Sequence, residues 1–415
     1  MRLEEVNLYD LDRWEQAVPH DMFAVLRKEA PVFWHPEPKG GRGFWAITKY
    51  VDVVHVSKNP RLFSSYRGGT NIFDLPESDL STTRLLMLNM DPPQHTKYRR
   101  LVSRGFSPRR IASLEPHIRE LCTRILDQVA PRGECDFVTE VAAELPLQVI
   151  AELMGIPQED RHLVFDWSNR LVGFDDPEFR EDPSNMEEGK KVATEMWAYA
   201  HQLAAERKRQ PGNDLVSTLL HAEVDGRSLS EMEFDSFFLL LAVAGNETTR
   251  NLISGGMLAL LEHPDQKAKL LAQPELLPTA VEEMLRWVTP VVCFRRTATA
   301  DTEIRGQKIR EGEKVVIFYI SANRDEEVFP EAERFDVARF PNEHIAFGIG
   351  EHYCLGANLA RLEIRIMFEE LLRRMPDMEL AGPVRRLRSN FLSGIKSMPV
   401  RFRPERSRAA VGGAA

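Results

Sequence analysis

Cysteine is scarce in this chain. Four occur in 415 residues, Cys122, Cys135, Cys293 and Cys354, with no C-x-x-C pair and no tight cluster. A zinc or iron-sulfur centre built from cysteine is therefore excluded, and so few thiols fit a reducing cytoplasm better than secretion. Long apolar runs are also missing. The most apolar stretch, Phe237 to Ala244, falls far short of the roughly 20 residues that span a membrane. The opening segment MRLEEVNLYDLDRWEQ is charged throughout, so neither a signal peptide nor a membrane anchor is expected. Positive charge is not in excess: 54 Lys and Arg against 63 Asp and Glu leave a formal charge of -9. That balance disfavours nucleic acid or an anionic membrane as the main partner. No G-x-G-x-x-G segment follows a strand, so no built-in flavin or nicotinamide domain is expected. No Gly/Ser or Pro-rich linker divides the interior. Residues 1–415 read as one domain, with a disordered tail over 405–415.

What is present is helical periodicity. It predicts helices over 116–130, 139–154, 184–210, 230–262, 275–288 and 356–374. Ser230 with Glu233 three residues on forms a capping box at the start of the longest. That segment is apolar nearly all round, which predicts a helix through the centre of the protein. Short strands are predicted at Phe44–Thr48, Thr302–Ile304, Lys314–Tyr319 and in a C-terminal hairpin near 386–402. The stretches 64–92 and 324–346 read as irregular. The fold class is mainly α, helix-rich with small β-sheets.

One segment carries specific chemistry. Residues 347–356 read F-G-I-G-E-H-Y-C-L-G, with Gly348, Gly350 and Gly356 bracketing Cys354 just ahead of a predicted helix. Glycines permit positive φ and close approach of backbone to a flat ligand. Such a loop can aim N–H groups at the Cys354 sulfur and, with the positive helix end, favour thiolate. A thiolate on haem iron pushes electron density toward oxygen and favours O–O cleavage. A lone Gly-Cys pair would read as a turn around a structural cysteine; the whole pattern reads otherwise.

From Phe347 to Gly356 the segment resembles, at every fixed position, the haem-binding loop of the cytochrome P450 superfamily. The resemblance extends from about residue 10 to 403 and implies the P450 fold, with haem b between the long central helix and the helix after the cysteine loop. It implies that Cys354 is the axial iron ligand and that Phe347, Gly348, His352 and Gly356 form the loop around it. Further motifs fall in the family's order. Glu283 and Arg286 share a helix face in VEEMLRW. Alone this is a common surface pair; by resemblance it joins Arg339 of F-D-V-A-R in a buried network behind the haem. In A-G-N-E-T-T an acid and two hydroxyls interrupt the apolar central helix, a local conflict that marks functional sites. Gly245 permits opening of the helix there, and Thr248 can bond backbone or water. The family's acid–alcohol pair for proton delivery corresponds to Glu247 and Thr248, with Ala244 beside the haem. His95 and Arg99, four apart in D-P-P-Q-H-T-K-Y-R, together with His352 and Arg296, which opens a strand, match the family's propionate contacts.

The resemblance places the substrate pocket at Ile72, Leu86 and Met87 of the 64–90 loop, and at Trp167, Leu171, Val172 and Phe174. Leu240 and Val243 of the central helix, then Val291, Val292, Phe294, Phe391 and Leu392, complete it. Nearly all are apolar, which suits a hydrophobic ligand. AGNETTRN, SANRDE, GANLAR and GIKSMPV look like an actinobacterial subgroup that hydroxylates terminal methyls of sterols and methyl-branched lipids. The implied reaction is insertion of one oxygen atom from O2 into such a substrate. Alternatives are a straight fatty acid or a terpenoid as the substrate hydroxylated, a peroxygenase using hydrogen peroxide, and a non-catalytic haem sensor; the acid–alcohol pair argues against the last two. With no fused reductase in the chain, a separate ferredoxin and ferredoxin reductase are the expected electron donors. Lys97, Arg99, Arg100, Arg104, Arg109, Arg110, Arg361 and Arg365 form a basic patch for an acidic ferredoxin.

Overall fold

The computed structural model describes residues 1–38, 41–180 and 186–405. The central element is the helix Glu231–Glu262, and Ser230 and Glu233 cap each other's backbone N–H groups as the sequence predicts. Its lack of a polar face is resolved by enclosure. Helices Glu144–Met154, Arg161–Val172, Met186–Arg209, Leu277–Val288 and Ala357–Arg374 all pack against it. Helix Glu115–Val129 packs on the outer side of Ala357–Arg374 and Glu144–Met154. Phe234, Phe237, Phe238, Leu241, Leu252 and Ile253 all sit in the resulting core. The remaining predicted helices lie within a few residues of their expected ends; the region before Glu144 begins as a π-helical turn, Val138–Ala142. Among the described residues, no helix is long and apolar enough to cross a membrane.

The main sheet orders its strands Val32–His35, Phe44–Ile47, Lys314–Phe318, Cys293–Ala298 and Phe63–Ser64. All its pairs are antiparallel except Phe44–Ile47 with Lys314–Phe318. Thr302–Ile304 forms its own hairpin with Gln307–Ile309. The C-terminal hairpin pairs Arg385–Arg386 with Ile395–Ser397, and Pro399–Arg401 then joins Glu379–Leu380 and Glu134–Asp136.

Four expectations need correction. The 64–92 stretch is not irregular throughout, because it holds helix Glu77–Thr83 and a short turn Met87–Asn89. Arg296 does not open its strand but lies inside Cys293–Ala298. Gly245 does not open the central helix, which runs unbroken. It admits a neighbour instead: a Cβ there would come within 3.0 Å of Ile150 Cδ1. Glu405 is not part of a loose tail, since its carboxylate holds Arg374 and its N–H donates to the Ala130 carbonyl at 2.9 Å. Residues 406–415 lie outside the described residues.

Candidate active site

The cysteine loop is built on backbone that only glycine adopts freely. Gly348 and Gly350 have φ of +70° and +80°, and at Gly350 a Cβ would also meet the Ser57 carbonyl oxygen at 2.8 Å. The Cys354 N–H donates to the Phe347 carbonyl at 2.8 Å, folding the loop back over itself ahead of helix Ala357–Arg374. Burial pushes the Cys354 thiol up, while the Gly356 N–H and the charges of Arg99 and Arg361 pull it back toward thiolate. Arg361 lies over the Phe347 ring at 4.6 Å and is itself held by Glu282. The Cys354, Leu355 and Gly356 side of the loop keeps accessible surface, and a Cβ on Gly356 would meet nothing within 4 Å.

A second open surface is one stripe of the central helix. Ala244 is exposed, and Leu240 and Thr248, four residues to either side, are partly exposed, whereas Leu241, Ala242, Val243, Asn246 and Glu247 are buried. Exposure at the middle of a helix enclosed by five others marks an internal space. Thr248 Oγ1 donates to the Ala244 carbonyl at 2.9 Å, along that stripe. Glu247 lies on the other side. Arg250 Nη2 donates to its carboxylate, Asn246 Nδ2 reaches it at 3.4 Å, and Arg250 Nη1 donates to Asn169 Oδ1 at 2.8 Å. Burial pushes the Glu247 carboxyl up, opposed by Arg250. The structure thus brings Ala244 and Thr248 to the space and turns Glu247 away from it.

A cluster of bases forms no ion pair among the described residues, although the charges of Asp91 and Glu351 reach Arg296 and Arg99. The His95 and His352 rings lie 4.2 Å apart, and His95 Nδ1 has no hydrogen-bond partner. Arg296 is buried, donates to the Arg295 carbonyl at 2.8 Å, and has no ion pair among the described residues. Burial, Arg99 and Arg296 push His95 down to about 4, and burial with Arg296, His95 and Arg99 pushes His352 well below its ordinary value. Ser65 Oγ lies 3.3 Å from His352 Nε2, and Arg99 Nη2 donates to the Tyr353 carbonyl at 2.6 Å. Mutual repulsion of this kind is relieved by an anion, and a buried unpaired guanidinium calls for one. Haem fits on three counts: two carboxylates for the bases, a flat body for the space opposite Ala244, and a soft donor in Cys354.

Behind the loop, Glu283 accepts from Arg286 Nε and Nη2 at 2.8 Å and from Arg339 Nε at 3.0 Å. The Asp336 N–H and Asn342 Nδ2 complete its shell at 2.9 and 3.1 Å. Arg286 and Arg339 pin the 330–334 carbonyls.

The expected pocket residues separate into two groups. Leu86, Leu171, Val172, Phe174, Leu240, Val291, Phe294 and Phe391 keep accessible surface. The Phe294 and Phe391 rings lie 5.8 Å apart, and Phe174 meets Phe73 at 5.5 Å. Ile72, Met87, Trp167, Val243 and Leu392 are buried, with only slight exposure. Val292 is a correction. It has no exposed surface and packs with Phe318 and Ile320 beside the N-terminal helices, so it is a core residue. The basic patch is also smaller than expected, because Lys97 pairs with Asp225, Arg361 with Glu282, and Arg365 with Glu115 and Glu369. Among the described residues, Arg100, Arg104 and Arg109 remain exposed without a side-chain partner, and Arg110 is partly exposed. Sequence reasoning passed over Ser65, Asn169 and Arg250. Only Arg250 carried a signal, its position three residues after Glu247 on one helix face.

Residues 6–376 match the family Cytochrome P450. The steroid C26-monooxygenase of Rhodococcus jostii (strain RHA1) is 46% identical over 409 residues, covering 96% of this chain and 85% of that protein. The methyl-branched lipid omega-hydroxylase of Mycobacterium tuberculosis (strain ATCC 25618 / H37Rv) is 44% identical over 410 residues, covering 96% and 95%. A Mycobacterium marinum cytochrome P450 solved in complex with pseudoionone superposes with a TM-score of 0.89 at 41% identity, covering 96% and 100%.

Proposed function

This chain belongs to the cytochrome P450 family and is a haem monooxygenase, and from that premise we propose that it hydroxylates a terminal methyl group of a sterol or methyl-branched lipid. The observations that carry the site assignment are the open stripe at Ala244 in an enclosed helix, the open side of the cysteine loop at Gly356, and a cluster of bases without ion pairs among the described residues. When bound, haem supplies a thiolate-ligated iron at which O2 is activated with electrons from a separate donor. In this reading Cys354 is the axial ligand, and the Gly356 N–H lowers the thiolate's basicity. His95, Arg99, Arg296 and His352 hold the two propionates. Glu283, Arg286 and Arg339 keep the loop's supporting turns in place.

The Thr248 hydroxyl faces the reacting side and holds a proton or water there, and Glu247 restores that proton from the closed side of the helix. The aromatic pair Phe294 and Phe391, with Leu240, Val291 and Leu171, positions an apolar chain and excludes water. The high identity to enzymes named for steroid and branched-lipid oxidation supports the substrate class. The proposed electron donor is an acidic ferredoxin, docking around Arg100, Arg104 and Arg109 in the cytoplasm.

The test has two parts. The reduced protein with CO is expected to show the absorption band of a thiolate-ligated haem, and a Cys354→Ala variant that kept it overturns the ligand assignment. Spectral-shift titration with sterols, branched and linear fatty acids and terpenoids, followed by product analysis, is expected to favour a sterol or branched lipid oxidised at a terminal methyl. A terpenoid as best binder and substrate overturns the substrate class and leaves the chemistry.

A further inference from the structure

Two segments that carry pocket candidates meet at two points. Phe73, from the 64–90 loop, lies 5.5 Å from Phe174, which follows helix Arg161–Val172. Further along both segments, Asp79 of helix Glu77–Thr83 pairs with Lys190 of helix Met186–Arg209 at 3.1 Å. Arg180 sits between these two contacts. Its guanidinium lies 6.0 Å over the Phe174 ring, and a Cβ on Gly189, next to Lys190, would come within 2.5 Å of its Nη2. Gly189 thus leaves room for the guanidinium beside the helix. Arg180 is 6% exposed. Its side chain makes one hydrogen bond among the described residues, from Nη2 to the Arg170 carbonyl at 3.4 Å. That is longer than the roughly 2.7–3.2 Å of a good N–H···O bond. Nε is buried with no partner. Burial pulls the guanidinium below its ordinary value, and the charges of Glu188 and Asp175 only partly oppose this. Neither acid forms an ion pair with it among the described residues. An enclosed guanidinium without a paired anion is costly, and its planar fork suits a carboxylate.

We propose that Arg180 receives the carboxylate of a lipid acid whose terminal methyl lies at the reacting end of the pocket. This rests on the reading of the chain as a terminal-methyl hydroxylase, because a substrate oxidised at one end presents its other end to the rim. Phe73, Leu171 and Phe174 then cover the alkyl chain next to the head group, and all three keep accessible surface. Lys190 does not compete for the carboxylate, since Asp79 and Glu187 already pair with it at 3.1 and 2.8 Å. The site selects by charge. An ester, an alcohol or a sterol of similar bulk fills the apolar part equally well but leaves the guanidinium without its anion.

The experiment is a spectral-shift titration of the haem-loaded enzyme with isopalmitic acid, its methyl ester, its primary alcohol and cholesterol. It is run at about pH 8, where the acid is ionised. Wild type is compared with Arg180→Gln and Arg180→Lys. Wild type is expected to bind the acid about tenfold more tightly than the ester or the alcohol. Arg180→Gln is expected to lose that preference, with acid affinity falling about tenfold and ester affinity staying within about twofold. Arg180→Lys keeps the charge without the fork and is expected to fall between the two. Should Arg180→Gln not fold, the acid-to-ester ratio is read from Arg180→Lys. If acid and ester affinity fall together and their ratio is unchanged, the guanidinium only holds the end of the pocket helix and the proposal is overturned. Equal binding of acid and ester by wild type overturns it too, as does tightest binding of cholesterol with no response to either variant. In those cases the terminal-methyl reading stands wherever product analysis finds the new hydroxyl on a terminal methyl. If no probe is oxidised at a terminal methyl, the underlying reading fails and this inference fails with it.

Discussion

Arg286 donates two hydrogen bonds of 2.8 Å to the two oxygens of Glu283, and neither side chain has any exposed surface. Such a pair is weak evidence for stability, but breaking it strands a buried charge. Glu283→Ala leaves Arg286 and Arg339 both uncompensated and is expected to cost about 3–5 kcal/mol. Thermal unfolding and haem content of the purified protein check this. Arg339→Ala is expected to cost less, because Arg286 still pairs with Glu283; equal losses would show the pairing is not what holds the turn.

The neighbouring Glu282 predicts a pH dependence. Hydrogen bonds from Arg361 and His344 outweigh burial and hold its carboxyl at about 2, below the ordinary 4.5. A depressed folded value adds stability above the unfolded one, and that stability is lost as pH falls from about 4.5 toward 2. Glu282→Gln is expected to flatten this acid limb of the stability curve, by on the order of 1–2 kcal/mol after solvent screening at a site about a third exposed. Denaturant unfolding across that pH range reads it.

Thr248 puts its hydroxyl on the open stripe with Ala244. Thr248→Ala is expected to consume electrons while releasing hydrogen peroxide, with product per electron falling about tenfold. Fully coupled turnover would remove Thr248 from proton delivery. Substrate affinity is expected to change little, because only the hydroxyl and one methyl group are removed.

Arg104 and Arg109 are exposed and have no ion pair among the described residues, whereas Arg361 and Arg365 are already neutralised by acids. Charge reversal at Arg104 or Arg109 is expected to slow ferredoxin-driven reduction about tenfold at low salt, with the difference shrinking at high salt. Stopped-flow reduction checks this. Reversal at Arg365, which is held by Glu115 and Glu369, should do less than either.

A buried ion pair fastens the loop after helix Arg161–Val172 to the C-terminal hairpin. Lys396 Nζ lies 2.8 Å from Asp176 and 2.9 Å from Glu178, and Asp176 is 1% exposed. Lys396→Met leaves Asp176 with only the Glu178 and Arg388 N–H groups and is expected to destabilise the protein by about 2 kcal/mol and speed substrate release, since Phe174 rides on the same loop. Thermal melts and off-rate measurements would show both effects together.

Much of this was legible before the structure. The capping box, the all-round apolar helix and the glycine spacing around Cys354 are local patterns, and each led to the right element. The 64–92 region misled because the weak polar helix Glu77–Thr83 has no apolar face to announce it. Val292 misled because the resemblance gives the whole segment after the E-x-x-R helix as pocket and does not say which of its residues turn into the core. Gly245 misled because a small residue serves close packing and helix opening alike; only Ile150 at 3.0 Å decides between them.

The elements and the chemistry-bearing residue types follow from local sequence, because helix period, caps and positive-φ glycines depend on neighbours a few residues away. Local sequence placed Cys354 in a loop and Glu283 beside Arg286 for that reason. Long-range packing alone gathers His95, Arg99, Arg296 and His352, spread over more than half the chain, into one cluster with no ion pair among the described residues. It also decided that Glu247 turns from Thr248 toward Arg250 and Asn169. Those relations depend on which helix faces meet across the core, and residues far apart in the chain meet there without leaving a local pattern.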